Sequence, residues 1–116
     1  MQYMLLIYGV DQAITPEVME ADIPAYNAFG EEASARNMLV ASEALHPVAT
    51  ATTVRIRDGK PIATDGPFAE TKEVLGGFYI LNCKDLDEAI EMAGKIVVIG
   101  NSAVEIRPVV DFSQFT

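Results

Sequence analysis

The order of strand-like and helix-like segments is the feature that most restricts how this chain can fold. One strand, one helix and a second strand follow each other at short spacing, and the same order returns later in the chain. Strands carry alternating or continuous apolar runs, whereas helices carry apolar residues three and four positions apart. The predicted segments are strand 3–8, helix 16–36, strand 38–45, strand 74–82, a helix beginning after Asp85, and strand 104–108.

A β-hairpin is predicted between these two halves. Residues 52–57 alternate apolar and polar side chains, and Asp58-Gly59 follows directly. Asp-Gly between two strand-like runs is a strong signal for a two-residue hairpin turn, so a return strand is expected at 61–64. The whole order is that of the ferredoxin-like split βαβ fold, with a hairpin inserted. We therefore predict one α+β domain, residues 1–116, with two helices on one face of an antiparallel sheet.

The first helix contains one residue that conflicts with its pattern. Thr15 is a suitable N-cap and Pro16 a suitable first residue, and the apolar face of the helix is predicted from Met19, Ile23, Tyr26, Gly30 and Ala33. Pro24 lies inside this stretch, where its ring collides with the preceding turn. We expect a kink or break near Asp22-Ile23, and a helix end at Asn37, which tolerates the left-handed conformation.

The two central strands are apolar on both faces. Residues 3–8 and 78–81 are apolar at nearly every position, although two helices can cover only one face of the sheet. A second copy of the same sheet is the simplest cover for the other face. The sequence therefore predicts a homodimer.

The overall charge and the cysteine content narrow the class of protein. The net charge of −9 repels a phosphate backbone, so nucleic acid is not an expected partner. The apolar start is too short for a membrane span and lacks a basic flank, so we expect no membrane partner and a cytoplasmic location. Cys83 is the single cysteine, which excludes an intrachain disulfide. It is interpreted as a buried apolar residue, with a nucleophilic thiol as the alternative.

The segment 64–73 is longer than a turn between strands requires. Phe68 is expected to anchor it in the core, and charged residues including Asp65 and Lys72 surround that anchor. Ordered loops on rigid scaffolds often carry function. The alternative is a structural loop with solvated charges.

Four further residues are candidates for a site. His46 is the only histidine and suits proton transfer near neutral pH, unless it is merely satisfied by hydrogen bonds. Arg55 could hold an anion, or it could guard an edge strand. Tyr8 and Tyr79 could contact a ligand or serve as core residues with a bonded hydroxyl. No metal site or cofactor is predicted, because there is no second histidine or cysteine to complete the usual ligand set.

Several runs of residues resemble one known family. The start Tyr3-Met4-Leu5-Leu6-Ile7-Tyr8-Gly9, the stretch 49–55, and above all Asp65-Gly66-Pro67-Phe68-Ala69-Glu70-Thr71-Lys72-Glu73 with Leu75-Gly76-Gly77-Phe78-Tyr79 resemble the DGPF branch of the YCII-related proteins. Residues 85–89 and 104–108 fit as well. The likeness covers nearly the whole chain. It implies a dimeric α+β barrel built from ferredoxin-like protomers.

What the resemblance implies about function is less specific. Relatives in the wider group carry a His–Asp pair with the histidine on the first helix, and this sequence has no histidine there. DGPF proteins are also often associated with extracytoplasmic-function sigma factors. We therefore predict a small-molecule site near the 64–73 segment, with His46 and Asp65 handling protons and Arg55 or Lys72 holding an anionic group. The alternative is a non-catalytic ligand-binding or regulatory dimer linked to such sigma factors.

Overall fold

The computed structural model describes residues 1–11, 15–100 and 102–115, with the backbone alone for Val18 and Met19. Its main elements are β1 (Gln2–Val10), α1 (Pro16–Ala35), β2 (Leu39–Ala44), β3 (Thr52–Arg57), β4 (Lys60–Asp65), β5 (Glu73–Asn82), α2 (Leu86–Val97) and β6 (Ala103–Pro108). Single 3-10 turns lie at Val48–Thr50 and Phe112–Phe115. Neither long helix in the described residues has the length and apolar character needed to cross a membrane.

Four strands form the main sheet in the order β2-β5-β1-β6, and each neighbouring pair is antiparallel. This order and the intervening helices confirm the predicted α+β fold with the ferredoxin-like arrangement. Residues of β1 and β5 alternate between the two faces, as strand geometry requires. Tyr3, Leu5 and Leu81 point towards the helices and are buried, so the core lies between the sheet and the two helices.

The predicted hairpin stands apart as its own two-stranded sheet of β3 and β4. Arg57 pairs with Lys60, which leaves Asp58 and Gly59 as the two turn residues. Both have positive φ, 53° and 78°, as the type I′ turn requires. The prediction made from Asp58-Gly59 is therefore confirmed.

The ends of the helices follow their local sequence signals. Pro16 begins α1, and Asn37 has a φ of 57° just beyond the last helical residue. Glu88 N donates a hydrogen bond to Asp85 Oδ1 at 2.9 Å, and Glu88 Oε1 accepts one from Lys84 N at 3.1 Å. These two bonds satisfy amide groups at the start of α2, as a capping-box pair does.

Pro24 does not break the first helix, so the expected break near Asp22-Ile23 is wrong. The helix is continuous from Pro16 to Ala35 with Pro24 inside it. Pro24 and Glu20 are both exposed, so water can bond the Glu20 carbonyl, which Pro24 leaves without an amide partner. Burial of Phe29 and Ala33 further along the same helix offsets the local cost. The predicted apolar position Met19 has a side chain outside the described set.

Ion pairs join the C-terminal half of α1 to α2. The Arg36 guanidinium contacts Glu91 at 3.1 Å and Glu32 at 3.2 Å, and Lys95 Nζ contacts Glu32 at 2.9 Å. These side chains are largely exposed, so each pair contributes little stability. In the described residues, these pairs lie at the C-terminal end of α1, beside α2.

The chain is more extended than a compact domain of its length. Its radius of gyration is 16.3 Å, whereas about 13 Å is expected for 116 residues. The hairpin exposes Val54 and Ile56, by 63 % and 77 %. On the sheet face away from the helices lie further partly exposed apolar side chains, namely Met4, Leu6, Phe78 and Ile80.

We expect the protein to form a two-fold dimer through this helix-free sheet face. Burying apolar area contributes roughly 25 cal/mol per Å², which favours a partner over water. Sedimentation at micromolar concentration should give twice the chain mass of 12.6 kDa. Leu6→Lys on that face should yield the monomer, whereas Ile90→Lys on the exposed side of α2 should not. A stable monomer for the unchanged protein would refute the expectation.

We expect Gly77→Ala and Gly94→Ala to have opposite effects on stability. A Cβ at Gly77 would lie 2.8 Å from the Glu43 carbonyl oxygen, whereas one at Gly94 meets nothing within 4 Å. The first change should lower the free energy of unfolding by about 1–3 kcal/mol. The second should raise it by about 0.5–1 kcal/mol, because alanine is the better helix residue. Urea denaturation of both variants checks this, and equal effects would contradict it.

Candidate functional site

A cavity of about 560 Å³ lies between the N-terminal half of α1 and the adjacent ends of β1, β2 and β5. Gly100 and Ser102 also line it. We call it the α1–sheet cavity. The described residues that line it are Ile7, Gly9, Val10, Asp11, Asp22, Ile23, Tyr26, Ser42, Glu43, Ala44, Leu45, His46, Pro47, Val74, Leu75, Gly76, Gly77, Phe78, Tyr79, Gly100 and Ser102.

A β-bulge shapes one wall of the cavity. The pairing of β1 with β5 shifts between Ile7 and Tyr8, because Gly77 pairs with Ile7 and Leu75 with Tyr8. Gly76 is the extra residue, and its carbonyl accepts a hydrogen bond from Leu45 N at 2.9 Å. Such bulges bend a strand locally and are frequent beside functional sites. Here Gly76 and Gly77 have no side chains, so this wall of the cavity is formed by backbone.

The inward face of α1 changes character along the helix. Phe29 and Ala33 are buried in the core. One and two turns earlier the same face carries Tyr26 and Asp22, which line the cavity. Residues four apart lie above one another on a helix. One helical stripe therefore supplies core residues at one end and polar cavity groups at the other.

Tyr26 is a phenol held in its neutral form. Partial burial and the nearby Asp22 carboxylate raise the pKa of Tyr26 above its usual value, and a hydrogen bond with Ser102 acts in the opposite direction. Partial burial and the Asp22 carboxylate outweigh the Ser102 hydrogen bond, so the uncharged hydroxyl is favoured. Tyr26 is thus a stable hydrogen-bond donor or acceptor on the cavity wall.

Asp22 is packed against backbone at Gly100. Its Oδ2 atom lies 3.3 Å from the point that a Cβ would occupy at residue 100, and Gly100 has a φ of +65°. Both observations favour glycine there. The absent side chain leaves space beside the Asp22 carboxylate.

Tyr79 links the cavity to the core. Its ring meets Phe29 edge-on, with centroids 4.8 Å apart, and it also lines the cavity. Burial, and then the neighbouring Tyr26, raise the pKa of Tyr79. Tyr79 therefore packs in the core and also lines the cavity, and its contact with a ligand stays a prediction.

His46 also lines the cavity, as an exposed residue just after β2. Asp11 lines it from the end of β1, and Asp11 Oδ1 accepts a hydrogen bond from Val48 N at 3.2 Å. This bond joins the end of β1 to the segment that follows His46. His46 is therefore an exposed member of the lining, next to a segment that is tied to the end of β1.

Asp65 is not brought to His46. It is the exposed last residue of β4 and pairs with Thr52. Within the described residues, no hydrogen bond or ion pair joins it to His46, and it is not part of the cavity lining. Asp65 belongs to the separate hairpin sheet, whereas His46 follows β2 of the main sheet.

Phe68 is 74 % exposed, so the prediction of a buried anchor is wrong. The Arg55 guanidinium carbon lies 4.7 Å from the centre of its ring, a distance suited to a cation–π contact. Gly66, at the start of the loop, is held by two hydrogen bonds instead. Its N–H donates to Ala51 O at 2.8 Å, and its carbonyl oxygen accepts one from the Thr53 Oγ1 hydroxyl at 2.8 Å.

The other candidate residues lie away from the cavity. Arg55 and Lys72 are exposed, and neither is among the described residues that line it. Tyr8 borders a separate shallow site with Glu73 and Glu105. Cys83 is buried, and burial raises the pKa of its thiol, which favours the apolar interpretation over the nucleophile. In the described part of the chain, no three His, Cys, Asp or Glu side chains gather closely enough to hold a metal ion.

Asp22 and Tyr26 are the cavity residues that sequence reasoning missed as a pair. Asp22 was treated as a point of helix breakage and Tyr26 as an apolar position. The available signal was their spacing, since 22, 26, 29 and 33 continue one helical stripe. An aspartate in such a stripe indicates that the helix faces something other than an apolar core there.

The chain belongs to the family of YCII-related domains, whose model matches residues 1–113. It is also 46 % identical over 66 residues to an uncharacterized protein of Rhizobium meliloti (strain 1021). That match covers 55 % of this chain and 53 % of the relative, so it spans about half the length of the curated protein. Neither comparison assigns an activity.

We expect Tyr26 and Tyr79 to ionise later than free tyrosine as the pH rises. Their pKa values in the fold exceed the usual 10.0. Any stability that they contribute is therefore full below about pH 10 and is lost as the pH rises through the folded-state pKa. Phenolate absorbance should show late ionisation, and Tyr26→Phe should remove part of that late component. Loss of an early component instead would contradict the assignment.

Proposed function

We propose that this protein binds a small organic molecule in the α1–sheet cavity. The observation that carries the proposal is the cavity itself, whose volume of about 560 Å³ falls in the range of roughly 300–1,000 Å³ typical of ligand sites. Its wall combines apolar residues such as Ile7 and Leu75 with a few polar groups. This mixture supplies contact area together with orientation.

We also propose that the site is suited to acid–base chemistry. Asp22 offers a carboxylate and Tyr26 a neutral phenol from one face of α1, and His46, an exposed residue of the lining, offers an imidazole. Imidazole can accept or release a proton near neutral pH. Asp65, which the sequence suggested as a partner of His46 in proton transfer, is not among the described lining residues. Dimer formation and an association with sigma factors stay predictions.

Binding can be tested with a fragment library observed by protein NMR. Fragments should shift amide signals of cavity residues in a saturable way. Ala44→Phe, which adds a ring to a residue of the cavity lining, should weaken binding by about tenfold or more. Ala28→Phe makes the same change on the exposed side of α1 and should leave binding unaltered. Fragments that bind Ala44→Phe as well as the unchanged protein would refute the site.

The same samples in deuterated water report on proton transfer. A bound fragment with an acidic C–H bond should lose that proton signal faster with protein than without it. His46→Gln should slow the exchange if the imidazole moves the proton. Exchange that is equal with and without protein would leave a binding site without acid–base activity.

A further inference from the structure

The charged side chains around the cavity are unevenly distributed. Asp22 and Asp11 line it, whereas none of the eight lysines and arginines is among the described residues of the lining. Arg36 and Lys95 are engaged at the far end of α1, and Arg55 lies on Phe68. The cavity therefore differs from the anion site that the sequence suggested.

Glu43 does not add to this charge inside the cavity. It pairs with Phe78 across β2 and β5, and Phe78 pairs with Leu6. Leu5, the neighbour of Leu6, points to the helices. Since strand residues alternate between faces, the Glu43 side chain lies on the helix-free face. The Glu43 backbone borders the cavity, because its carbonyl oxygen lies beside Gly77.

Asp22 is a partly buried carboxylate without a cationic partner among the described residues. Its characterised neighbours are the Tyr26 phenol, which is neutral, and the backbone at Gly100. Partial burial removes water from a charge and is offset by pairing with an opposite charge. The described lining therefore contains the Asp22 carboxylate but no lysine or arginine to pair with it.

The groups near Asp22 also suit a positive ligand. Tyr26 and Tyr79 are among the lining residues, and the faces of aromatic rings attract cations. Ile7, Ile23 and Leu75 provide apolar surface beside them. A ligand with an ammonium group and an apolar body would match both features.

We infer that the α1–sheet cavity takes a small organic cation, an amine with an apolar body, whose charge pairs with Asp22. This inference rests on the proposed function and specifies its ligand class. It replaces the anionic substrate expected from Arg55 and Lys72, because those residues lie outside the cavity lining.

The test compares three probes that share a phenyl group on a short chain: phenethylamine, 2-phenylethanol and 3-phenylpropionate. Binding is followed by calorimetry and by cavity amide shifts. The amine should bind about tenfold more tightly than the propionate, with the alcohol between them. Added salt should weaken the amine more than the alcohol. Propionate binding equal to or tighter than amine binding would overturn the inference.

Asp22→Asn removes the charge and keeps the shape. It should lower the affinity for phenethylamine by about tenfold and leave that for 2-phenylethanol unchanged. Asp58→Asn, a matched change in the hairpin turn, should alter neither. An unchanged amine affinity in folded Asp22→Asn would overturn the inference. If that variant does not fold, the comparison of the three probes on the unchanged protein still decides.

The two proposals fail in different ways. If library fragments bind in the cavity without preference for positive charge, the cation inference is wrong and the binding site stands. If neither the library nor the three probes shift cavity amides, the proposed function itself is wrong and the inference falls with it.

Discussion

The antiparallel pairing of β1 with β5 supports both the core and the cavity. At one end of this pair, Leu5 and Leu81 are fully buried beneath the helices. At the other end, Ile7 and Gly77 line open space. The difference arises where the bulge at Gly76 and the bare backbone of Gly77 withdraw side chains from the interface with α1. A dense interior and an adjoining void thus lie on the same two strands, and the packed half keeps the open half in place.

The first helix makes the corresponding transition. Its C-terminal half is held by burial of Phe29 and Ala33 and by ion pairs to α2. Its N-terminal half presents Tyr26 and Asp22 to the cavity. Pro24 also lies in the N-terminal half, on the exposed side of the helix. The residue that looked like a helix breaker therefore sits where few packing contacts depend on the ladder of hydrogen bonds.

The placement of charge gives the cavity its chemical character. The protein is acidic overall, yet its few cations are not gathered at the site. Arg36 and Lys95 join the helices, and Arg55 rests on the exposed ring of Phe68. Asp22 is thereby left beside aromatic surface without a positive neighbour in the described lining. This arrangement links the fold to the ligand class proposed here, because unpaired charge in a half-enclosed space selects its complement.

The sequence by itself determined the order of elements, the Asp58-Gly59 turn, the capping of α2 by Asp85 and Glu88, and the family. These features depend on local chemistry and on periodicity, which are legible in neighbouring residues. It also indicated His46 and Tyr79, which line the cavity. The tertiary structure alone decided that His46 but not Asp65 is in the described cavity lining, that Phe68 is exposed, and that Asp22 and Tyr26 border a void. Those outcomes depend on how a separate hairpin and one end of a helix lie relative to the main sheet. Such contacts join residues that are distant in the chain, and the periodicity of a sequence reports only on local structure.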